Sequence, residues 1–276
     1  VESELWPNLI WTAQRADIPL ALINARMSEI SLQGWQSKPT MAASVIGAFS
    51  TILAADDPTT QGLSNLIGKD IPNAGSLKLN APPLDYDLEE HQRLSELIGN
   101  RPVWLAASTH EAEEEIFHKL HAAMPDSFMI WLPRHPERGP DIARQLGVAP
   151  RSQSGNPGEQ AYVMDTLGEM GLALSLSKAC VLGGSFHPSL MGHNPLEAAR
   201  AGVPLITGPY HASFVDLFRD MTHANAVTVT DAQFLQTELQ VGLSGALDAQ
   251  ARNAQSFAAR RSGTLDRTVQ ALEALL

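Results

Sequence analysis

The sequence has one cysteine, no long apolar run and few basic residues. Cys180 stands alone in the apolar stretch 179–182, so no internal disulfide can form, and we expect a small core residue in a reducing compartment. No run approaches the roughly 20 apolar residues that span a bilayer, and no charged segment followed by an apolar one opens the chain as in a signal peptide. The chain as given is therefore expected to be soluble.

Basic residues are outnumbered: 19 Lys and Arg stand against 30 Asp and Glu, which gives a net charge of -11. Proteins that track nucleic-acid phosphates usually carry a basic excess, so we expect no nucleic-acid partner. Any anion that the protein binds must be met by local groups. With 276 residues, 44% of them hydrophobic, the chain can form one large domain or two ordinary ones.

Apolar runs alternate with helical patterns, as in a parallel sheet with helices on both faces. We predict strands at 18–24, 51–55, 74–77, 102–107, 128–132, 161–164, 180–182 and 203–207. We predict helices at about 7–15, 40–49, 58–67, 87–98, 111–123, 140–146, 168–178, 194–201 and 212–220, and a helical tail from about 231 to 275.

The paired prolines in the segment 80–85 are typical of a linker, because proline suits neither a helix interior nor a central strand. We therefore predict two doubly wound domains, residues 1–82 and residues 83–276 with the helical tail. The first has too few strands for a complete sheet of this class. Since the chain also begins with Val1 rather than methionine, we expect further residues upstream.

Polar motifs follow the predicted strands of the second domain, where open α/β sheets bind ligands. Gly184 and Ser185, directly after a strand, are either a tight turn or a place where backbone N–H groups meet an anion. Asn194 is suited to cap the helix that follows, whose positive end favours phosphate. Glu197 in its first turn either complements the helix dipole or accepts hydrogen bonds from ribose hydroxyls.

Three more strand ends carry such groups. Arg134 and Arg138 lie in the proline-flanked loop 133–138, which is either a solvated loop or a cationic phosphate site, since arginine donates bidentate hydrogen bonds. Ser108 and the following threonine are suited to cap a helix, and His110 lies at the same sheet edge. Gly168, Glu169 and Met170 open a further helix, where an acid is common.

These motifs together resemble those of the Kdo transferases, which transfer 3-deoxy-manno-octulosonic acid from CMP-Kdo to lipid A precursor. The resemblance runs from the first residue to beyond residue 200, in seven ordered motifs. The motifs lie at 2–8, 24–26, 75–78, 108–111, 133–138, 168–170 and 183–197.

The resemblance implies a GT-B-type fold, with two Rossmann-like domains, the nucleotide on the C-terminal one and the lipid acceptor on the N-terminal one. It implies inverting transfer without metal or other cofactor, at the cytoplasmic face of the bacterial inner membrane. It assigns a functional carboxylate to Glu4 and anion binding to Arg26 and Lys78. In the second domain it assigns the donor to these residues: Arg134 for CMP, Gly184 and Ser185 for phosphate, Glu197 for ribose, and Met170 and Asn194 for the surrounding pocket.

Two departures from the family pattern bear on activity. The general base of the family is a glutamate in a Gly-Glu motif that would precede Val1, so we expect this chain to bind CMP without transferring Kdo. The loop 186–192 lacks the family's arginine and paired glycines, and His187 is the candidate substitute. Two other functions stay open: a different sugar-nucleotide enzyme of this architecture, or a catalytically silent nucleotide-binding fragment.

Overall fold

The computed structural model describes residues 5–77, 84–260 and 263–275. The chain divides into two compact units, the first formed by residues 1–81 together with 261–276 and the second by residues 82–260. Within the described ranges, no helix is both long and apolar enough to cross a membrane.

The first unit is built around two parallel strands. Its elements are α1 (Pro7–Arg15), β1 (Ala21–Ala25), α2 (Glu29–Gln36), α3 (Pro39–Ile46), β2 (Thr51–Ala54), α4 (Asp57–Ile67) and α13 (Thr264–Glu273). Pro7 occupies the start of α1 as expected, where its missing N–H costs no hydrogen bond. Asp56 is the N-cap of α4, because its carboxylate accepts a hydrogen bond from the amide of Thr59 at 2.8 Å.

The core of the first unit lies between these strands and helices, where Leu22, Ile46 and Leu63 are buried. The third strand predicted at 74–77 is wrong. A single parallel bridge joins Asn73 to Ala54, because the chain then turns away through Gly75 at a positive φ of 86°.

The C-terminal helix α13 packs with the first unit. Thr264 is buried, and the Arg267 guanidinium donates to the carbonyl oxygen of Ala74 at 2.8 Å. The prediction that the helical tail belongs wholly to the second domain is therefore wrong from residue 261 onward. An amphipathic pattern indicates that a helix has an apolar face but not which core receives it.

The second unit contains one sheet of six parallel strands in the order β5-β4-β3-β6-β7-β8. The strands are β3 (Val103–Thr109), β4 (Phe128–Pro133), β5 (Ala161–Val163), β6 (Ala179–Leu182), β7 (Leu205–Thr207) and β8 (Thr228–Val229). Five of them match predicted runs, and the two-residue β8 is too short to give a sequence pattern. This is the strand order 3-2-1-4-5-6 of a doubly wound fold, with its reversal between β3 and β6.

Helices cover both faces of this sheet, so its strands are buried on both sides and read as continuous apolar runs. The helices are α5 (Leu88–Ile98), α6 (Glu114–Ala122), α7 (Gly139–Leu146), α8 (Met170–Leu176), α9 (Leu196–Ala201), α10 (Val215–His223), α11 (Leu235–Leu243) and α12 (Asp248–Arg260). Trp104 and Trp131 are fully buried in the core. Each indole N–H donates to a hydroxyl, which removes the cost of burying a polar group.

Replacing Arg267 with methionine should loosen the first unit alone. The lost hydrogen bond to Ala74 comes from a charged but partly exposed donor, so we expect a cost of about 0.5–1.5 kcal/mol. Hydrogen exchange followed by mass spectrometry should show faster exchange in peptides covering β2 and Ala74, and unchanged exchange in β3. The matched control is Arg252→Met, an exposed position on α12. Unchanged exchange of the β2 peptides in Arg267→Met would contradict the placement of α13.

Candidate functional site

The loops that follow β3 and β6 leave the sheet edge at the point where the strand order reverses, which is where doubly wound folds bind ligands. Ser108, the residue before the last one in β3, has a φ of 53°, in the left-handed region that a non-glycine residue seldom adopts. The register between β3 and β4 shifts at this position. The irregularity turns the chain so that Ser108 lines a cavity at the sheet edge.

Glu113 joins the two loops. It lies in the short 3-10 turn before α6 and is fully buried. Its Oε1 accepts from the amides of His110 (3.0 Å) and Gly184, and its Oε2 accepts from the amides of Ser185 (3.3 Å) and Phe186 (3.2 Å). A buried carboxylate is costly unless it is hydrogen-bonded, and here four backbone N–H groups solvate it.

Gly184 and Ser185 were predicted to meet the phosphate, and in the structure the amides of both residues donate to Glu113. Ser185 is 1% exposed, and its hydroxyl bonds to Leu182, Thr207 and Gly208. Gly-Gly-Ser is therefore a concave backbone segment filled by a carboxylate of the protein itself.

The two glycines are needed for close approach rather than for a ligand. A Cβ on Gly183 would lie 2.5 Å from the Glu113 carboxylate. A Cβ on Gly184, whose φ is 73°, would lie 2.4 Å from the ring of His193. Both positions therefore exclude any side chain.

A cavity of about 280 Å³ opens beside these loops. Five of the predicted site residues line it: Ser108, Arg134, Met170, Asn194 and Glu197. They come from the ends of β3 and β4 and from the starts of α8 and α9. Sequence reasoning thus identified most of the polar groups of one cavity, although they are distributed over some 90 positions.

The two arginines of the loop after β4 have different roles. Arg138 is held by Glu114 (2.8 Å), Glu111 (3.5 Å) and Asp141 (3.4 Å), so its charge is compensated and its role is structural. Arg134 is exposed at the cavity, and among the described residues no carboxylate lies within ion-pair distance of it. Arg134 is thus the arginine that is available to an anion.

Glu197 lies in the first turn of α9 and is partly buried in the cavity wall. Burial raises its pKa above the ordinary glutamate value, while Arg200 and Arg134 act in the opposite direction. Asn194 accepts from the amide of Leu196 at 3.1 Å, but the predicted cap is displaced by one residue: α9 begins at Leu196, and its N-cap is Pro195 rather than Asn194. Beneath them, burial and the nearby Glu197 charge raise the pKa of the Cys180 thiol to about 12. Cys180 is thus an inert part of the wall.

His110 and His193 form a pair at the edge of the cavity. Their Nε2 atoms are 2.8 Å apart, and the rings meet edge to edge, with centroids 5.0 Å apart and an interplanar angle of 7°. The ring of His135 meets that of His110 edge-on at 5.5 Å. Burial lowers the pKa of His193 to about 4, and the neighbouring His110, Arg134 and His135 add to the effect.

A second, more open cavity of about 970 Å³ lies against the loop before α8. Its wall holds Arg151 between Glu90 and Glu169, with both N–O distances at 2.7 Å. Two arginines, Arg93 and Arg151, hydrogen-bond Glu90 and lower its pKa to about 2. Glu169, predicted only as an acid at a helix start, therefore anchors the turn that carries Met170 into the smaller cavity.

The remaining predicted residues lie apart from this cavity. Arg26 belongs to the first unit and pairs with Asp56 at 3.4 Å, with 68% of its side chain exposed. Glu4 and Lys78 fall outside the described residues. His187, the candidate substitute in the loop 186–192, is partly buried and bonds through Nδ1 to the hydroxyl of Ser189 at 2.7 Å.

Sequence reasoning missed Glu113 and His193 as members of the site. Glu113 is one of three consecutive glutamates, and nothing in that run distinguishes it from its neighbour Glu114, which is also buried. His193 directly precedes Asn194, and its place within the motif 183–197 was the only available signal. Both acquire their roles from contacts between residues more than 70 positions apart.

Comparison with known proteins agrees with this architecture. Residues 1–81 match the family described as 3-deoxy-D-manno-octulosonic-acid transferase (kdotransferase). A 3-deoxy-D-manno-octulosonic acid transferase of Bordetella pertussis is 34% identical, over 99% of this chain and 68% of its own length. A probable mitochondrial 3-deoxy-D-manno-octulosonic acid transferase of Arabidopsis thaliana is 36% identical, over 83% of this chain and 56% of its own length. The chain thus spans between half and about two thirds of these relatives.

Among solved structures, the C-terminal CMP-Kdo binding domain of WaaA from Acinetobacter baumannii resembles this chain. The two share 28% sequence identity with a TM-score of 0.51, over 63% of this chain and 98% of that one. The doubly wound second unit and the cavity at its strand reversal agree with the sequence relatives. The chain belongs to the 3-deoxy-D-manno-octulosonic acid transferase family of glycosyltransferases, and it has a GT-B-type α/β fold.

Proposed function

We propose that the second unit binds CMP-Kdo in the 280 Å³ cavity and that the whole protein transfers Kdo to a lipid A precursor. The observation that carries the proposal is the joint presence of Arg134 and Glu197 in this one cavity. An available guanidinium suits a phosphate, and a partly buried carboxylate suits the two hydroxyls of a ribose. Met170 and Asn194 line the same cavity.

In this proposal the phosphate lies beside Arg134 and not on the Gly-Gly-Ser backbone, because Glu113 occupies that backbone. The Glu113 carboxylate and a phosphate cannot both accept hydrogen bonds from the same amides. The departing CMP phosphate is then stabilised by the positive charge of Arg134, which is in place before the reaction and so needs no rearrangement.

The acceptor side of the reaction remains a proposal for the whole protein. We assign a functional carboxylate to Glu4 and anion binding to Arg26 and Lys78 on the basis of the family resemblance. Transfer would be inverting and independent of metal, with an acceptor hydroxyl displacing CMP from the anomeric carbon. The lipid acceptor places this step at the cytoplasmic face of the bacterial inner membrane.

The direct test is calorimetric titration of the chain with CMP, and with UDP as the competing nucleotide. Binding of CMP in preference to UDP is the expected result. Binding of UDP alone would favour a different sugar-nucleotide enzyme of the same fold, and no binding of CMP would remove the proposed donor site.

Replacing Arg134 with methionine should weaken CMP binding by about 1.5–3 kcal/mol, the usual effect of a charge-assisted hydrogen bond. Binding of cytidine, which lacks the phosphate, should be unchanged, so calorimetry with both ligands separates the two contributions. The control is Arg144→Met, since Arg144 is 75% exposed on α7 and pairs with Asp141. An equal loss for CMP and cytidine would place Arg134 away from the phosphate.

Replacing Glu197 with glutamine should weaken CMP binding by about 1–3 kcal/mol, because the charged acceptor of the ribose hydroxyls is lost. The same substitution should have little effect on 2′,3′-dideoxy-CMP, which has no such hydroxyls. The exposed Glu137→Gln variant is the control. If Glu197→Gln weakens both ligands equally, the carboxylate does not contact the ribose.

Replacing Glu113 with glutamine should destabilise the second unit by about 2–4 kcal/mol, because an amide group cannot accept hydrogen bonds through its nitrogen and leaves buried N–H groups unpaired. In a thermal melt this should lower the transition temperature by several degrees. Glu115→Gln, on the exposed face of α6, should melt like the original chain. A melt of Glu113→Gln that also matches the original would show that the four amides are satisfied in another way.

A further inference from the structure

The two imidazoles of His110 and His193 can hold only one proton between their facing nitrogens. Two Nε2 atoms at 2.8 Å are at hydrogen-bond distance, so one ring donates and the other accepts. If both nitrogens carried a proton, two N–H groups would oppose each other. The pair is therefore either neutral or singly charged, and it titrates as a unit.

Charged groups from every neighbouring loop face this pair. The loop after β3 supplies Glu113, which favours protonation of His110. The loop after β4 supplies Arg134 and His135, which disfavour protonation of both rings. The backbone of Ser108 favours protonation of His193 through a hydrogen bond. Burial is the largest influence and lowers the pKa of both histidines, so the empty pair is neutral at pH 7.

The pair is also fixed in position. The His193 ring lies against Gly184, where no side chain would fit, and the amide of His110 donates to Glu113 at 3.0 Å. Because the amide of Gly184 also donates to Glu113, the same carboxylate sets the positions of both rings. His193 and Arg134 line the same cavity wall.

We propose that His110 and His193 form a single proton-binding site that takes up one proton when a phosphate group enters the cavity beside Arg134. Both ring nitrogens of His193 are already engaged, one by His110 and one by the backbone of Ser108, so the charged pair stabilises that phosphate through its charge. An anion at this position offsets the repulsion from Arg134, which is one of the forces that keep the pair neutral. This proposal rests on the proposed binding of a cytidine nucleotide. It adds that the His110 and His193 pair changes the positive charge of the nucleotide site.

Proton uptake of this kind matches the charge change in the proposed transfer. When the bond between the anomeric carbon and the phosphate oxygen breaks, its electron pair stays on that oxygen, and the phosphate charge changes from −1 to −2. A pair that already holds a proton supplies a second positive charge beside Arg134 at that step.

The test uses the methyl ester of CMP, a phosphodiester that does not itself titrate near neutral pH. Calorimetric titrations in buffers of different ionisation enthalpy should show proton uptake on binding to the original chain at pH 7. Because a proton is bound with the ligand, affinity should rise about three- to tenfold for each unit of pH decrease between pH 8 and 6. Cytidine, which has no phosphate, should cause no uptake.

His110→Gln and His193→Gln each keep a side-chain donor but cannot hold the extra proton, so both should lose the uptake and most of the pH dependence. His223→Gln, at an exposed position on α10, should behave like the original chain. A readout that needs no variant is the ¹⁵N imidazole spectrum, in which one pair of rings should become singly charged when the ester binds. Binding of the ester with both rings still neutral, or equal uptake in the two variants, would overturn the proposal alone. Failure of both CMP and its ester to bind would overturn the proposed function as well.

Discussion

The carboxylate of Glu113 is the contact on which the geometry of the site depends. It lies between two loops that leave adjacent strands, and it accepts N–H groups from both. Since those amides have no partner in a regular strand or helix, each loop would be left with unpaired buried donors without it. The position of the Gly184 backbone, and through it the His193 ring, follows from this single buried charge.

Charge in the cavity is controlled locally, although the chain carries a net charge of -11. In the second unit, Arg138 and Arg151 form ion pairs with carboxylates, which compensate their positive charge. Arg134 keeps its charge available at the cavity, opposite the carboxylate of Glu197. The cavity therefore presents two groups of opposite sign, and in the proposed complex these would orient a ligand with an anionic end and a hydroxyl-bearing end.

Much of this could be predicted from the sequence, because strand ends in a parallel sheet meet at one edge. Ser108, Arg134 and Asn194 follow predicted strands, the family resemblance assigned the last two to one site, and the structure brings all three to one cavity. The role of the Gly-Gly-Ser segment could not be predicted, since a backbone that fits a phosphate also fits a carboxylate. Whether Glu113 or a ligand fills it depends on a contact across 71 positions.

The return of α13 to the first unit determines the order in which the two units can fold during synthesis. The second unit is continuous in sequence, so it can fold as soon as residue 260 has left the ribosome. The first unit begins earlier along the chain but lacks Thr264 and Arg267 until after the second is complete. Its contacts with α13 can therefore form only after the synthesis of some 180 further residues, so the unit that is made first is the last to complete its packing.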